Sequence, residues 1–596
     1  MTAIEELTAL DRAVERATER LLELQHPDGF WVGELESNAT MIAQHLYWLH
    51  FLGLRDPETD RKLANELMAR RRDDGTWSIW YEGPPDLSTT LEAYVALKMA
   101  GVDAGDGTRD YLRREGGIPK SRVFTKCFMA LLGQWPWQRI PTVPVEIVLL
   151  RPSAPFSIYN FACWARQTIV ALAGVMALRP VRPTEIDLSE IWARPGRTRP
   201  ARRPGSIRRS ALATAVQWVR QRQEADGSWG GIQPPWVWSI ILLAALGHGF
   251  EDDTFRRAVE GWQGFMIDEG ERLRPEACQS PVWDTALAVI ALREAGLSAD
   301  HPALERAGEW LLNEEVRVYG DWAVRRPGLA PGGWAFEFQN DLYPDIDDAA
   351  EVVLALRSLG IGEDACRRGL DWIAGMQSTN GGWGAFDADN TSDWLYKIPF
   401  CDFGAVIDPP SEDVTAHALE ALAPDRTRYG DGVERGLRYL LETQQQDGSW
   451  WGRWGVNHVY GTAAVLPALE ALGFEPTHPA IARAVAWLDA VQDESGGFGE
   501  DIASYHEPKL RGRGVPTASQ TAWALLAYAA AGQPQRPSTR RASDYLCAVQ
   551  LPNGDWAEQH YTGTGFPTDF MIRYHLYRLH FPLMALGRLR ERLNRA

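Results

Sequence analysis

Apolar residues recur along most of the chain at the three-to-four-residue spacing of helices. In the stretch before Gln444, one helix face is formed at positions i, i+4, i+7 and i+8 by Val433, Leu437, Leu440 and Leu441. A second apolar stretch, residues 465–472, leads to Gly473. The alternation typical of strands is rare. The pattern therefore predicts an all-α chain built as a succession of helix hairpins.

A seven-residue motif, Gln-x-x-(Asp/Asn)-Gly-x-Trp, marks the turns between these helices. Complete copies occupy residues 25–31, 223–229, 377–383, 444–450 and 550–556. Residues 71–77 lack the Gln, and residues 492–498 end in Phe. The Asp-Gly pair supplies the turn, while the Gln amide can bind backbone groups at helix ends and stack its flat face on the indole. We interpret the motif as structural and expect the hairpins to close into α/α barrels.

Composition and charge narrow the range of functions that the chain could have. The 61 basic and 79 acidic residues give a net charge of −18, which argues against a nucleic-acid binder. The six cysteines are scattered without a Cys-x-x-Cys pair, so we predict free thiols, a reducing compartment and no zinc site. The 26 tryptophans are an excess that implies a repeated motif, an aromatic-lined cavity, or both.

No run of 18 apolar residues is present, so we expect no membrane span, and the N-terminus is typical of an amphipathic helix rather than a signal peptide. Residues 194–209 hold seven arginines, three prolines and no acid. One interpretation is a solvated linker. The other is contact with anionic lipid head groups, worth about 1 kcal/mol for each basic residue near the surface.

Three carboxylates stand close together at Asp345, Asp347 and Asp348, directly before a helical run at residues 349–360. Acids at a helix start are ordinary capping chemistry. Three carboxyls in four residues, however, cannot all ionise cheaply in a dry pocket, so one should stay protonated and could donate a proton. Both interpretations remain open on these residues alone.

His417 lies four residues after Asp413, so the two share a helix face. Such a pair can fix the imidazole tautomer and favour its cation, although many histidines are simply surface or core residues. Metalloprotease, serine-hydrolase, P-loop and dinucleotide-binding motifs are missing. Asp252-Asp253 lacks the further acids of a magnesium–diphosphate site. We therefore predict neither a metal nor a cofactor.

The motifs together resemble the squalene–hopene cyclase family. They are Asp-x-Asp-Asp at residues 345–348, the repeated Gln–Trp motif, and the blocks at residues 230–236, 280–285, 389–394, 409–417, 452–462 and 561–570. The resemblance runs nearly end to end. It implies two α/α barrels with an apolar cavity between them, a lipid substrate such as squalene, and a peripheral protein on the cytoplasmic side of the cell membrane, commonly a homodimer.

The resemblance also implies domains and roles for individual residues. Residues 1–22 would be the first helix of the catalytic barrel, residues 23–295 an inserted barrel, and residues 296–596 the rest of the catalytic barrel. Asp347 would protonate the terminal alkene, with Asp345 and Asp348 in support. His417 would hydrogen-bond the acid and increase its acidity, with Asp413 orienting the imidazole.

Other matched positions surround the reacting chain. Aromatic residues that would line the cavity or stand behind its wall are Trp164, Trp283, Phe336, Phe386, Trp454, Tyr460, Phe566, Phe570, Tyr574 and Tyr577. Aromatic faces stabilise carbocations without reacting, by about 2 kcal/mol each when desolvated. Polar residues that would hold the terminating water are Gln44, Glu92, Arg122 and Gln233. Residues that would constrict the substrate access channel are Phe161, Ile169, Phe400 and Cys401.

Three departures from the family stand out. Gln44 occupies a position that is glutamate in some relatives, which bears on termination. Phe386 stands where the family can have tyrosine. Between Trp192 and Trp218 the expected membrane-dipping apolar helix is not evident, and the arginine-rich segment takes its place.

Several functions remain open on the sequence alone. The leading one is cyclisation of squalene to hopene, with or without hopanol. The nearest alternative is a related cyclase acting on another polyprene, such as a C35 chain or a meroterpenoid. An inverting glycosidase on an α/α barrel would need a second acid across an open polar cleft, for which no candidate is found. A non-catalytic helical scaffold would leave the acid triplet and the aromatic blocks unexplained.

Overall fold

The helix hairpins predicted from the apolar spacing close into two α/α barrels. The structure, a computed structural model, describes residues 3–192, 196–201, 203–402 and 404–595. Helices in the first half are α1 (Ala3–Glu23), α2 (Ala39–Leu52), α3 (Pro57–Ala69), α4 (Leu87–Met99), α5 (Asp106–Glu115), α6 (Val123–Leu131), α7 (Cys163–Leu178), α8 (Ser206–Gln221), α9 (Gln233–Ala245) and α10 (Asp253–Gly261).

Helices in the second half are α11 (Pro281–Glu294), α12 (Pro302–Asn313), α13 (Ile346–Leu359), α14 (Glu363–Gly375), α15 (Glu412–Leu422), α16 (Arg426–Thr443), α17 (His458–Ala471), α18 (Pro479–Val491), α19 (Ala518–Ala530), α20 (Pro537–Val549) and α21 (Tyr577–Arg595). Short 3-10 helices occupy Ile118–Lys120, Trp137–Arg139, Val145–Leu149, Ile158–Asn160, Trp262–Phe265, Asp321–Val324, Asp393–Lys397, Ala423–Asp425, Ile502–Tyr505 and Pro508–Leu510.

Six helices form the closed inner ring of the C-terminal barrel. In order around the ring they are α11, α13, α15, α17, α19 and α21, and α21 returns to α11. The even-numbered helices from α12 to α20 cover the outside, and α1 joins them by packing on α20 and α21. Because α11 is part of this ring, the domain boundary predicted at residue 295 is wrong and lies ahead of Pro281.

Inner and outer helices differ in sequence for a physical reason. The inner helix α17 buries twelve of its fourteen residues, so it is apolar on every side. The outer helix α16 buries four of its eighteen residues, along the single face that the apolar spacing predicts. In the N-terminal barrel, α2 packs on α4, α6 and α9, and α7 packs on α9 and on the outer helix α8.

The Gln–Trp motif ties each hairpin to the next outer helix. In the copy at residues 444–450, Gln444 Nε2 donates to the carbonyls of Gly448 and Ala480, both at 2.9 Å, and Trp450 Nε1 donates to the Leu440 carbonyl at 2.7 Å. Gly448 has φ of 102°, and a Cβ there would lie 2.5 Å from the Arg483 carbonyl oxygen. The predicted binding of Gln to backbone groups at a helix end is confirmed.

In the part of the chain that the structure describes, five short strands interrupt the helical pattern: β1 (Leu35–Glu36), β2 (Met266–Asp268), β3 (Leu273–Pro275), β4 (Gly563–Phe566) and β5 (Phe570–Tyr574). Strands β2 and β3 form an antiparallel pair. Strand β5 pairs antiparallel with both β1 and β4, with Leu35 opposite Tyr574. The β4–β5 hairpin thereby holds three aromatic residues of the predicted cavity wall in one rigid unit.

The arginine-rich segment is only partly a linker. Arg194, Pro195 and Arg202 lie outside the described residues, but α8 begins at Ser206, inside the segment. Leu212 and Val216 of α8 line a shallow surface groove together with Leu246, the residue that follows α9. In the part of the chain that the structure describes, no helix is both long and apolar enough to cross a bilayer.

A buried ionic network joins the two barrels. Arg166 on α7 donates to Asp321 at 2.9 Å and to Asp387 at 3.1 Å, and all three side chains are buried. Arg222, at the end of α8, and the Tyr343 hydroxyl also donate to Asp321. The segment carrying Asp345 is thus anchored to the N-terminal barrel two residues before the acid motif.

Candidate active site

The acid motif forms the first turn of α13. Asp345 is the N-cap residue, and its Oδ1 accepts hydrogen bonds from the backbone N–H groups of Asp347 (2.7 Å) and Asp348 (3.4 Å). The Asp345 N–H donates to the Trp334 carbonyl, and the Ile346 N–H donates to the Ala385 carbonyl. The capping interpretation and the catalytic one are therefore compatible, because capping fixes where the next two carboxyls point.

Asp347 and His417 are in direct contact although 70 residues separate them. His417 Nδ1 lies 2.6 Å from Asp347 Oδ1, a charge-assisted hydrogen bond between α15 and α13. Burial disfavours the imidazolium, but the Asp347 charge and hydrogen bond outweigh burial and raise the pKa of His417 to about 10. The histidine is therefore held as a cation against the Asp347 carboxylate.

The two flanking carboxyls are held neutral. Asp345 and Asp348 are both buried, and burial followed by the charges of neighbouring carboxyls raises the pKa of each well above the ordinary range. A raised pKa favours the neutral form of each carboxyl, and a neutral neighbour adds no negative charge beside Asp347.

The expected orientation of His417 by Asp413 is wrong in this structure. Asp413 Oδ2 accepts from the backbone N–H groups of Arg453 and Trp454, both at 2.8 Å, and Asp413 Oδ1 accepts from the Ser411 hydroxyl at 2.5 Å. Both carboxylate oxygens are thus committed to shaping the loop that carries Trp454. Asp413 influences the imidazole only through space.

An apolar cavity extends from the acid motif between the barrels. We call it the aromatic cavity, and its lining includes Asp345, Asp347, Asp348, Trp164, Trp283, Phe336, Phe386, Trp454, Phe566, Phe570, Tyr574 and Tyr577. Tyr460 stands behind this wall, with its ring 6.3 Å from that of His417. The structure therefore brings nine of the ten predicted aromatic residues onto one surface.

The aromatic rings lock one another in fixed orientations. Trp164, Phe386 and Trp454 form a triangle of edge-to-face contacts with centroid distances of 5.7, 6.0 and 6.3 Å. Nearer the acid, Tyr574 stacks on Tyr577 at 4.2 Å, and Tyr577 Oη accepts a 3.0 Å hydrogen bond from Trp283 Nε1. A rigid wall of π faces can stabilise a cation at several successive positions.

A second cavity continues from the far end of the aromatic cavity. This terminal cavity shares Trp164, Phe566 and Phe570 with the first one, and its polar lining includes Gln44, Glu92, Arg122 and Gln233. The two together form an elongated space with the acid motif at one end and these polar residues at the other.

The polar residues of the terminal cavity form a hydrogen-bond chain. Gln233 Nε2 donates to Gln44 Oε1 at 3.0 Å, and Gln44 Nε2 donates to Glu92 Oε2 at 2.8 Å. The Thr125 hydroxyl donates to the other Glu92 oxygen. Burial raises the pKa of Glu92 to about 7. Arg122 belongs to a neighbouring ion pair with Asp86.

The four residues predicted for the access channel are buried beside the N-terminal barrel. Phe161, Ile169, Phe400 and Cys401 belong to the hydrophobic core of that half. The Phe400 ring lies 6.3 Å from Phe124, which lines the terminal cavity. Within the described residues the lining of the two cavities does not include these four, so their access role stays a prediction.

One cluster of potential metal ligands occurs among the described residues, at Glu34, Glu36 and His575. Its carboxylates already have cationic partners. Glu34 accepts from Arg274 at 2.6 Å, and Glu36 is paired with Arg70 and Arg573. These groups neutralise one another, so we assign no metal to the cluster.

Comparison with known proteins identifies the family. A family model described as the squalene-hopene cyclase N-terminal domain matches residues 14–203 and 197–271. A second model, described as the squalene-hopene cyclase C-terminal domain, matches residues 279–591. The chain belongs to the squalene–hopene cyclase family. It is 45% identical to the squalene–hopene cyclase of Alicyclobacillus acidocaldarius over 99% of each chain, and 38% identical to that of Bradyrhizobium diazoefficiens, covering 99% of this chain and 96% of that one.

A solved structure supports the fold of this cyclase-family chain. The ent-copalyl diphosphate synthase from Streptomyces platensis superposes with a TM-score of 0.53 at 18% identity, covering 97% of this chain and 99% of the other. At that identity the likeness concerns the fold alone. The start of the C-terminal family match at residue 279 agrees with the domain boundary ahead of α11.

Sequence reasoning missed several residues of this family member's site. Gln167, Glu337 and Asn340 line the aromatic cavity, and each has a buried side-chain oxygen without a hydrogen-bond partner among the described residues. Glu337 directly follows the predicted Phe336, and this adjacency is the sequence signal that could have found it. Arg453 lies over Trp454 at 4.3 Å and donates to the Gly565 carbonyl. Glu351, one turn after Asp347, was also missed.

Proposed function

We propose that this protein cyclises squalene to a pentacyclic triterpene, hopene with or without hopanol, through carbocations that form when Asp347 protonates the terminal alkene. The observation that carries the proposal is the 2.6 Å contact between Asp347 and the His417 imidazole at the closed end of an aromatic cavity. Both the acid and the cation-stabilising wall that such a reaction needs are present in one enclosed space.

The acid step follows from the electrostatics. Protonating an unactivated alkene needs a stronger acid than an ordinary carboxyl, and the His417 cation makes loss of the Asp347 proton less costly. Neutral Asp345 and Asp348 add no nearby anion that would favour keeping the proton. When Asp347 donates, its O–H bond breaks, a C–H bond forms at the alkene, and the carboxylate left behind pairs with the imidazolium.

Ring closure then depends on shape and on the wall. A pre-shaped apolar cavity folds the polyprene so that each double bond lies against the developing cation. Aromatic faces of residues such as Phe336, Phe386 and Trp454 stabilise that cation by about 2 kcal/mol each without reacting with it. Exclusion of water along this wall prevents premature capture.

Termination is assigned to the terminal cavity. The chain Gln233–Gln44–Glu92 offers amide and carboxyl groups that can hold a water molecule. That water would remove a proton from the final cation to give hopene, or add to it to give hopanol. Glutamine at position 44 is a weaker base than a second glutamate would be. We therefore expect the terminating step, proton removal or water addition, to depend on Glu92.

The test is incubation of the purified protein with squalene in detergent, with and without EDTA, followed by gas chromatography and mass spectrometry. We expect a pentacyclic product that EDTA does not reduce. Asp347→Asn should abolish it, while Asp341→Asn, an exposed acid in the preceding loop, should retain it. Failure of the folded wild-type protein to convert squalene would refute this substrate, and product from Asp347→Asn would refute the acid.

A second candidate substrate is a polyprene that carries oxygen. The unpartnered side-chain oxygens of Gln167, Glu337 and Asn340 on the cavity wall favour it, because buried acceptors left without donors cost about 1–3 kcal/mol each. A meroterpenoid precursor with a phenolic head group would supply such donors. Competition between that precursor and squalene in one incubation decides between them by the ratio of the two products.

We further propose that the protein meets the cytoplasmic face of the cell membrane through the surface around α8. Exposed apolar side chains occur there at Ile207 (67% exposed), Leu149 and Leu150, next to Arg208 and Arg209 at the start of α8. The helical turn Val145–Leu149 packs on α8, so these residues share one region. Apolar side chains flanked by cations suit an anionic bilayer surface.

Co-sedimentation with vesicles tests this surface. Wild-type protein should bind anionic vesicles more strongly than zwitterionic ones, and Ile207→Asp should weaken both. Val515→Asp, at an exposed apolar site in the C-terminal barrel (57% exposed), is the matched control. Equal binding by the two variants would contradict the assignment. A homodimer stays a prediction.

A further inference from the structure

One buried carboxylate holds a three-residue segment of the cavity wall. Asp408, in the loop that leads to α15, is 2% exposed. Its Oδ2 accepts from the backbone N–H groups of Phe386 at 2.7 Å and Asp387 at 2.9 Å. Its Oδ1 accepts from the N–H group of Ala385 at 3.2 Å. Three successive N–H groups are therefore fixed by a single side chain.

Each residue of this segment serves a different part of the site. The Ala385 carbonyl accepts at 2.8 Å from the N–H of Ile346, which stands between two aspartates of the acid motif. The Phe386 ring lines the aromatic cavity. The Asp387 carboxylate accepts from Arg166 in the network that joins the barrels. One carboxylate thus bears on the acid motif, the cation-stabilising wall and the link between the two halves of the molecule.

Asp408 is itself held firmly against the segment. Its own N–H donates to Asn390 Oδ1 at 3.2 Å, and a Cβ at Gly384 would lie 2.7 Å from the Asp408 carbonyl oxygen. Asp413, five residues later, binds the backbone of the Trp454 loop in the same manner. These two neighbouring acids therefore anchor the loops of two rings that contact each other in the cavity wall.

The charge of Asp408 costs stability, unlike that of Asp389, which lies three residues after Phe386. Burial and then the charge of Asp387 raise the pKa of Asp408 to about 6, although the N–H groups oppose them. A carboxyl whose pKa is higher in the folded than in the unfolded protein destabilises the fold when it ionises. Burial also raises the pKa of Asp389, but hydrogen bonds within its loop outweigh burial and lower it, so that charge is stabilising. A destabilising anion on a functional segment is typical of a residue that serves activity.

Resting on the proposed function, we infer that Asp408 is a positioning residue for cyclisation, whose carboxylate keeps Phe386 and the acid motif in their reactive geometry. The lining of the aromatic cavity, within the described residues, does not include Asp408, so it acts through the segment 385–387 rather than on the substrate. An ionised carboxyl presents two charged acceptor oxygens, and a neutral one does not. The ionisable groups that face it from the surrounding elements are Asp345, Asp387, Cys163 and Arg453, with Arg166 beyond Asp387.

Two isosteric substitutions separate positioning from stability. Asp408→Asn removes the charge and one acceptor oxygen, and it should lower kcat for squalene about 10-fold to 30-fold with KM unchanged. Incompletely cyclised products should appear, because Phe386 no longer meets the cation. The unfolding temperature should not fall, since a destabilising charge is removed. Asp408→Glu keeps the charge and should recover part of kcat.

Asp389→Asn is the matched control, and asparagine also suits the φ of 55° at that position. It should lower the unfolding temperature and leave kcat and the product pattern as in the wild type. Unchanged kcat and products in Asp408→Asn would overturn the inference. A loss of kcat that is matched by an equal loss of stability would also overturn it, because Asp408 would then serve the fold alone.

The pH profile supplies an independent readout. Wild-type kcat should decline as pH falls through about 6, because Asp408 gains a proton there. Over the same range the contribution of this group to the free energy of unfolding rises, so activity and stability should move in opposite directions. This decline of kcat should be absent in Asp408→Asn and retained in Asp389→Asn. Its persistence in Asp408→Asn would contradict the assignment.

Hydrogen exchange tests the positioning without any turnover. The N–H groups of residues 385–387 should exchange faster in Asp408→Asn than in the wild type, and at the wild-type rate in Asp389→Asn. Wild-type exchange at these residues in Asp408→Asn would refute the positioning role. Absence of any cyclic product from the wild-type protein would instead refute the proposed function.

Discussion

At the scale of single residues, the site combines capping chemistry with acid chemistry. Asp345 caps α13 and thereby fixes the backbone of Asp347 and Asp348, while burial keeps Asp345 and Asp348 neutral. His417 arrives from another helix and supplies the positive charge that strengthens the Asp347 acid. The functional group is therefore a pair of side chains, one from each of two neighbouring inner helices.

Replacing a ring of the cavity wall with a large aliphatic side chain tests the cation-stabilising role. Phe336→Leu should lower kcat about 10-fold to 30-fold, corresponding to the loss of about 2 kcal/mol of cation–π stabilisation. Incompletely cyclised products should appear, because a less stabilised cation is deprotonated early. Product analysis and kcat measure both effects. A full yield of pentacyclic product at the wild-type rate would show that the ring acts only by filling space.

The individual site residues show how much of the site could be predicted from the sequence. Local spacing identified Asp345, Asp347 and Asp348 as unusual, but the contact with His417 spans 70 residues and came only from the family resemblance. Spacing placed Asp413 and His417 on one helix face, yet it could not reveal that the N–H groups of Arg453 and Trp454 occupy the Asp413 carboxylate. Glu351 was missed because one glutamate within a helix has no local signature.

At the scale of elements, the Gln–Trp motif is a repeated hydrogen-bonded link between hairpins. Each Gln amide binds the glycine carbonyl of its own turn and a carbonyl of an outer helix, as Gln444 does with Gly448 and Ala480. The Gln444 oxygen also accepts from Arg483 on that helix. One side chain thus fixes the turn and positions the next helix.

Gln444→Ala should therefore destabilise the C-terminal barrel without changing the chemistry. Loss of two backbone hydrogen bonds and one arginine contact should lower the free energy of unfolding by about 2–3 kcal/mol. Thermal unfolding measures it, with kcat at low temperature expected to stay unchanged. Gln445→Ala, which loses a single hydrogen bond to the Thr443 carbonyl, is the control. Equal stability of the two variants would contradict the proposed link between the turn and the outer helix.

The elements were predictable to different degrees. Helix hairpins followed from apolar spacing because a helix face repeats every three to four residues. The β4–β5 hairpin was missed because its strands are only four and five residues long, and β5 pairs with β1, more than 500 residues away in the chain. Aromatic residues on that hairpin were nevertheless found through their family block.

At the scale of the whole molecule, the cavity exists because two barrels are held at a fixed separation. The Arg166 network is a buried polar link between them, with Arg166 and Arg222 from the N-terminal half and Asp321 and Asp387 from the C-terminal half. The cavity wall takes Trp164 from one barrel and Trp283 from the other. Any relative shift of the barrels would alter the shape that folds the substrate.

Arg166→Leu should loosen this arrangement. Leaving Asp321 and Asp387 with one arginine fewer in a buried site costs about 3–5 kcal/mol, as is typical when one partner of a buried ion pair is removed. We expect a lower unfolding temperature and a larger share of incompletely cyclised products. Arg151→Leu, an exposed arginine of the same barrel, is the control. Wild-type stability and product pattern in Arg166→Leu would show that the network does not set the cavity.

The central claim is that Asp347 begins the reaction by giving an exchangeable proton to the terminal alkene. The most direct measurement is cyclisation of squalene in D₂O by enzyme equilibrated in D₂O, with mass spectrometry and NMR of the product. The account predicts one carbon-bound deuterium, on the ring methylene derived from the terminal alkene CH, and no product from Asp347→Asn. Cyclic product without deuterium at that carbon would contradict protonation by Asp347 as the first step.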